Sequence, residues 1–355
     1  MLKARRCVRE MREYHSPLSS PTIDLRLDMN ESTTGCSPRV LAKLNNVTAK
    51  TLALYPRREP GEKLVADFLG LKSEQVLLTN GADEGIDLLC RAYLESGDEI
   101  IVITPAFAMY EVFAQTEDAK VVRVPTDANF SFPTERVLQA ITPRTRVVVI
   151  CNPNNPTGLA VERASILKVI EAAPDAAILL DEAYFEFYGQ TLMDQIGRIP
   201  NLSIARTFSK AYGLAGLRLG VMTGDKEQIS VLRRMASPFN VNAFAIECLA
   251  EALADREFVN AYIAEVRAGR EWLRKALEEL HFKCWPSQAN FVLCRFGDQK
   301  KAILEALRAR GIALRDRPDC EGCVRITVGK PHEMERLIGE LKQVLAGLPA
   351  AQVTR

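Results

Sequence analysis

Short apolar, β-branched runs recur along this chain at residues 76–79, 100–103, 121–124, 147–150, 178–180 and 203–206, with helix-length stretches between them. A strand covered on both faces reads as a continuous apolar run, and a parallel neighbour needs a crossover connection that is usually a helix. The alternation therefore predicts an α/β unit on a largely parallel sheet, with helices on both faces. After residue 242 the texture changes. Residues 243–280 read as long helical segments with few breakers, strands are predicted at 291–295, 312–314 and 324–327, and an amphipathic helix should run from Glu333 to about Leu345. At roughly 150 residues per unit, 355 residues allow about two. The expected division is an N-terminal arm with part of a small unit over 1–45, a large unit over 46–245, and a smaller α+β C-terminal unit over 246–355.

Charge and composition narrow the function classes. With 46 basic against 45 acidic residues the net charge is +1, so no basic field exists to gather nucleic acid. The longest apolar runs are strand-sized, far below the roughly 18 residues of a membrane helix, and the charged first ten residues lead into no apolar signal core. Nine cysteines, several inside apolar runs, suit free thiols in a reducing compartment, so the cytoplasm is expected.

In a parallel sheet, ligands bind beyond the carboxyl ends of the strands, so the residues that follow each run carry the information. Asn80-Gly-Ala-Asp-Glu84 follows the first run, Asn152-Pro-Asn-Asn-Pro-Thr-Gly158 the fourth, Asp181-Glu-Ala-Tyr184 the fifth and Thr207-Phe-Ser-Lys210 the sixth. Asn152 to Asp181 and Asp181 to Lys210 are each 29 positions, about one βαβ step, so these side chains can converge at one edge. A single carboxylate–lysine pair would most simply be structural; four strand ends in register are harder to dismiss.

An amine, an acid and a phosphate cradle fit pyridoxal phosphate, which needs a lysine for covalent attachment and an acid to keep its pyridine nitrogen protonated. Lys210 and Asp181 fill those roles. Gly81, Ala82 and Asp83 open a helix whose free N–H groups suit the phosphate, with Thr207, Ser209 and Arg218 as further donors. Asn152 and Tyr184 would meet the phenolic oxygen, and Phe107 would stack on the ring.

These motifs, together with Arg206-Thr-Phe-Ser-Lys-Ala-Tyr-Gly-Leu-Ala-Gly-Leu-Arg218 and Val324-Arg-Ile-Thr-Val-Gly329, resemble the class I/II pyridoxal phosphate aminotransferases of fold type I, and most of all the histidinol-phosphate aminotransferases. The resemblance spans about residues 14–345. It implies a fold type I transferase acting by transamination on small amino acids and 2-oxo acids, with histidinol phosphate and 2-oxoglutarate as the favoured pair. Aromatic amino-acid transamination and threonine-phosphate decarboxylation are the alternatives, and a non-enzymatic cofactor-binding regulator a distant third. It further implies a homodimer in which Tyr55 reaches the neighbouring subunit's cofactor phosphate. Arg325 would clamp a substrate carboxylate with help from Asn152, Asn30 would line the substrate site, and Arg315 and Tyr14 would hold a substrate phosphate. The chain departs from the family at Asn30-Glu-Ser-Thr-Thr-Gly35, where Asn-Glu-Asn-Pro-Tyr-Gly is usual in a segment that lines the substrate mouth. It also has Phe107 where Tyr is frequent, and Glu13-Tyr14 where Pro-Tyr is usual.

Other motifs carry less. Cys320-Glu-Gly-Cys323 has no second pair and no nearby histidine, and reads as a turn. His15, His281 and His332 share no metal-ligand spacing, so no metal is expected. The Gly213, Gly216 and Gly220 spacing matches neither a dinucleotide fingerprint nor a P-loop.

Overall fold

A computed structural model describes residues 2–11, 13 and 22–348. Its strands in chain order are β1 (Leu25–Leu27), β2 (Val76–Asn80), β3 (Glu99–Thr104), β4 (Lys120–Pro125), β5 (Thr145–Cys151), β6 (Ala177–Asp181), β7 (Leu202–Thr207), β8 (Leu219–Gly224), β9 (Lys283–Cys284), β10 (Phe291–Arg295), β11 (Ile312–Asp316) and β12 (Cys323–Thr327). Seven form the large sheet in the order β2-β8-β7-β6-β5-β3-β4, and five form a smaller one in the order β1-β11-β12-β10-β9.

All six predicted runs of the large sheet are strands. The central residues of all but the edge strand β4 are buried, as expected of strands covered by helices on both faces. One face packs Leu77, Ile100, Val147, Val149 and Leu179 under the helix Gly81–Tyr93 and its neighbours; the other packs Ile101, Val148, Ile150, Ile178 and Leu180 under the helix Arg163–Ala172. β3, β4, β5, β6 and β7 pair in parallel, with Cys151 opposite Asp181 and Asp181 opposite Ala205. This register brings the predicted strand ends to a common edge.

In this sheet the strand that the periodicity did not reveal is β8, which pairs antiparallel with both β7 and β2. Its sequence, Leu-Gly-Val-Met-Thr-Gly, carries two glycines, which normally weaken a strand. Gly220 sits between Thr79 and Thr207 in register, and a Cβ there would lie 2.4 Å from the carbonyl carbon of Gly81 and 2.6 Å from Ala82 N. The glycine is needed because β8 passes backbone to backbone beside the helix that starts at Gly81.

The smaller sheet takes its first strand from near the N-terminus, since β1 pairs in parallel with β11. The helical stretch after residue 242 is two helices, Ala243–Ala254 and Arg256–Glu279, broken at Asp255, whose carboxylate caps the second by accepting from Phe258 N. The last helix, Pro331–Gly347, buries Met334, Leu337, Ile338, Leu341 and Val344, the i, i+3, i+4 stripe expected of it.

Gly220→Ala should destabilise the fold by about 1–3 kcal/mol, because the new methyl group meets main chain that cannot rotate away. Denaturant unfolding of the variant beside Gly224→Ala, whose Cβ would meet side-chain oxygens no closer than 3.0 Å, measures the difference.

Candidate active site

A cavity of about 1040 Å³ opens where the carboxyl ends of the parallel strands face the smaller sheet. The helix Gly81–Tyr93 points its first turn there. Asn80 makes no side-chain cap, so the N-terminal N–H groups and the positive end of the helix dipole are left to the cavity, which Ala82 and Asp83 line. Gly81 has φ +77°, and a Cβ on it would lie 2.5 Å from Arg218 Nη2, so the glycine lets that guanidinium lie across the helix start. Arg218 is ion-paired with Asp83 at 3.1 Å. Thr207 and Ser209, at the end of β7, also line the cavity; the Thr207 hydroxyl donates to Ser209 Oγ at 2.9 Å and accepts from Ser209 N at 3.1 Å. That turn presents Lys210, whose Nζ donates to the Met29 carbonyl at 3.1 Å.

Burial, with the charges of Arg325 and Arg218, pushes the Lys210 ammonium down to about 8, while Glu31 and Asp83 pull the other way. Asp181 is pushed up to about 6 by burial, opposed by hydrogen bonds from the Tyr110 hydroxyl and Ala183 N. Tyr184 lies against the edge of Phe291 with ring centroids 5.1 Å apart, and its hydroxyl accepts from Asn30 Nδ2 at 2.9 Å. Burial raises this phenol to about 12, with Arg325 and Asn30 acting in the opposite sense. Phe107 lines the same space and meets Tyr110 edge-on at 5.6 Å.

Arg325 is buried, donating from Nη1 to Asn155 Oδ1 at 2.6 Å and from Nη2 to the Asp28 carbonyl at 2.7 Å. Arg315 is its register partner on the adjacent antiparallel strand, and both line the cavity. Two neighbouring guanidiniums on one wall form a site for an anion.

The structure corrects two expectations. Asn152 does not line the cavity: its Oδ1 accepts from Val161 N at 2.9 Å and ties the loop after β5 back on itself. Asn155, three residues on, lines the cavity and bonds Arg325, taking the place given to Asn152. Three asparagines in seven residues carry no spacing signal that separates them. The second correction concerns the departing segment. Met29, Asn30 and Glu31 line the cavity, whereas Ser32, Thr33 and Thr34 do not. The chain turns away at Asn30, where φ is +55°, and Ser32 Oγ donates to the Gly35 carbonyl, Thr33 Oγ1 accepts from Lys330 N and Thr34 Oγ1 reaches Glu265. In this chain these three residues bond to Gly35, Lys330 and Glu265 rather than lining the cavity.

Tyr55 is 76% exposed, stacked on Phe239 at 4.3 Å, and lies outside this chain's own cavity. Tyr14 lies outside the described residues. Cys320, in the turn between β11 and β12, and Cys323, the first residue of β12, pack with Trp285 and Leu293, their thiols pushed up by burial to about 12 and 11. Tyr110 and Arg317 are among the lining residues that the sequence reading did not single out. Tyr110, on the helix Met109–Thr116, donates to Asp181; Arg317, just past β11, is held by Asp319 and the Ala106 carbonyl.

A lysine of lowered basicity, a buried acid, a phosphate-sized cradle and an arginine wall in one cavity define a group-transfer site of the kind found in pyridoxal phosphate enzymes. The chain belongs to the aminotransferase class I and II family, which matches residues 22–341. Among curated relatives it is 34% identical over 326 residues to the histidinol-phosphate aminotransferase of Dehalococcoides mccartyi, covering 90% of each chain. It is 35% identical to that of Methanosarcina mazei, covering 90% of this chain and 87% of the other. In fold it is similar to the histidinol-phosphate aminotransferase of Sinorhizobium meliloti solved in complex with pyridoxal 5′-phosphate, with a TM-score of 0.90 at 22% identity, covering 98% and 99% of the two chains. The protein is a pyridoxal phosphate-dependent aminotransferase.

Tyr110→Phe removes one of the two donors that favour ionised Asp181. Its titration midpoint should therefore move above about 6, by about one pH unit, since a hydrogen bond to a charged group is worth ~1.5–3 kcal/mol and one unit is ~1.4 kcal/mol. Carboxyl-carbon NMR of the cofactor-free protein follows that midpoint directly.

Proposed function

We propose that this enzyme exchanges the amino group between histidinol phosphate with 2-oxoglutarate on one side and imidazole acetol phosphate with glutamate on the other. The observation that carries the substrate reading is the pair Arg315 and Arg325, side by side across two strands and both facing the cavity. Glutamate brings an α-carboxylate, which Arg325 suits; histidinol phosphate brings a dianionic phosphate, whose further charge calls for the second guanidinium. The names of the curated relatives agree with this choice, and they do not favour the aromatic or decarboxylase alternatives.

The residues present fit the cofactor. Bound pyridoxal phosphate supplies an aldehyde that an amine can condense with and a ring that takes up the electron pair of a Cα–H bond. In this chain the Lys210 amine would serve for attachment and, once free, would move the proton at the substrate's Cα. With Nζ brought down to about 8, a useful fraction is neutral and able to accept that proton near neutral pH. With the cofactor bound, Asp181 would stand at the ring nitrogen and favour its proton. A cation beside a buried carboxylate favours ionisation, so Asp181 and the ring nitrogen stabilise each other's charge. Thr207, Ser209, Arg218 and the first turn of Gly81–Tyr93 would hold the phosphate, Phe107 would pack on the ring, and Tyr184 and Asn155 would meet the phenolic oxygen.

The functional unit we propose is a homodimer. Leu52, Leu54 and Tyr55 are exposed, with Tyr55 stacked on the exposed Phe239, and in the dimer that the family resemblance implies Tyr55 would reach its partner's phosphate cradle. All nine cysteines are free, which suits a reducing compartment, and we place the enzyme in the cytoplasm. No helix among the described residues is long and apolar enough to cross a membrane.

Lys210→Ala should lower kcat by at least about 10⁴-fold, having lost both attachment and proton transfer, while unfolding like the parent. Single-turnover spectra of the cofactor-loaded protein with histidinol phosphate, glutamate, phenylalanine and threonine phosphate, each added alone, test the substrates. Efficient conversion by the first two is expected, and a strong preference for phenylalanine would overturn the substrate reading. In the dimer, a hybrid of one Tyr55→Phe and one Lys210→Ala subunit would carry both substitutions at one site and neither at the other, so each hybrid should keep one native site of its two; measuring activity against mixing ratio checks this.

A further inference from the structure

The hydrogen bonds around Tyr184 have a direction. A side-chain amide nitrogen can donate but not accept, so Asn30 Nδ2 gives a proton to the Tyr184 oxygen and takes none from it. The orientation of that amide is itself fixed. Thr327 Oγ1 accepts from the main-chain N–H of Asn30 at 3.0 Å, which leaves its own proton for Asn30 Oδ1 at 3.2 Å and turns the NH₂ toward Tyr184. The Asn30 carbonyl is held in turn by Asn290 Nδ2 at 3.1 Å, and its φ of +55° is one that asparagine tolerates better than most residues. Among the described residues, this bond from Asn30 is the one hydrogen bond of the Tyr184 hydroxyl, and Tyr184 lines the cavity.

We propose that Asn30 and Thr327 are positioning residues that keep Tyr184 a hydrogen-bond donor into the cavity, toward the phenolic oxygen of pyridoxal phosphate. This rests on the cofactor reading above and gives Asn30 a role other than touching substrate. The charged and titratable groups around Tyr184 are Arg325, Asp181 and Cys151, and those around the Lys210 amine are Arg325, Arg218, Glu31 and Asp83; none belongs to the relay. A donor on the phenolic oxygen draws electron density from the nitrogen that Lys210 shares with the cofactor and lowers its basicity. Loss of the relay lets the phenol turn its proton elsewhere, and that basicity rises.

The readout is the pH midpoint of the visible absorption change of the cofactor-loaded enzyme. Thr327→Val, nearly isosteric, should raise the midpoint by about half a pH unit, the scale of one neutral hydrogen bond. Thr327→Ser should restore it. In a Tyr184→Phe background, where the midpoint is already raised, Thr327→Val should add nothing. Asn30→Gly, which keeps the left-handed backbone, should behave as Thr327→Val does and serves if the buried valine impairs folding. A Thr327→Val midpoint equal to the parent's, or an equal shift with and without the Tyr184 hydroxyl, overturns the relay. Failure of the parent to develop any visible band with pyridoxal phosphate would overturn the cofactor reading instead.

Discussion

Three consecutive residues, Asp28, Met29 and Asn30, hold the two sheets in one working arrangement. Leaving β1, they give the Asp28 carbonyl to Arg325, the Met29 carbonyl to Lys210 and the Asn30 side chain to Thr327 and Tyr184. Arg325 and Thr327 belong to the smaller sheet; Lys210 and Tyr184 follow strands of the larger. Arg325 and Lys210 are thus held directly, and Tyr184 through the Asn30 side chain, by this short segment. Main-chain groups buried there must find partners, since an unpaired one would cost about 1–3 kcal/mol, and both sheets supply them.

The large sheet was legible because strands covered on both faces leave no room for polar residues, so the apolar runs stand out and the residues that end them stand out too. Lys210 and Asp181 could be found in that way. What stayed hidden was hidden for physical reasons. β8 lacked the β-branched density of its neighbours because Gly220 must lie bare against Gly81. Tyr110 sits on a helix among core residues, and only the distance to Asp181 reveals that its hydroxyl matters. Asn155 and Asn152 are chemically identical neighbours, and the direction in which the loop after β5 turns decides which one enters the cavity.

The smaller sheet was read less completely for a different reason. β1 is three residues long and β9 two, too short for any periodicity, and β1 finds its partner almost 290 residues later. Short strands of this kind are recognised by the surface they complete rather than by their own sequence. The altered Ser32-Thr33-Thr34 segment illustrates the same limit. Its residues were weighed as part of a binding surface, whereas their bonds run to the main chain and to two helices of the smaller unit.

The charge of Arg325 reaches beyond the anion it is placed to hold. It is among the groups that depress Lys210, second only to burial. An anion bound to Arg325 offsets that charge and returns basicity to the lysine, so occupancy and protonation are thermodynamically linked. By reciprocity, small anions that settle on this guanidinium bind more tightly when Lys210 is protonated, and the cavity discriminates among them by pH as well as by shape.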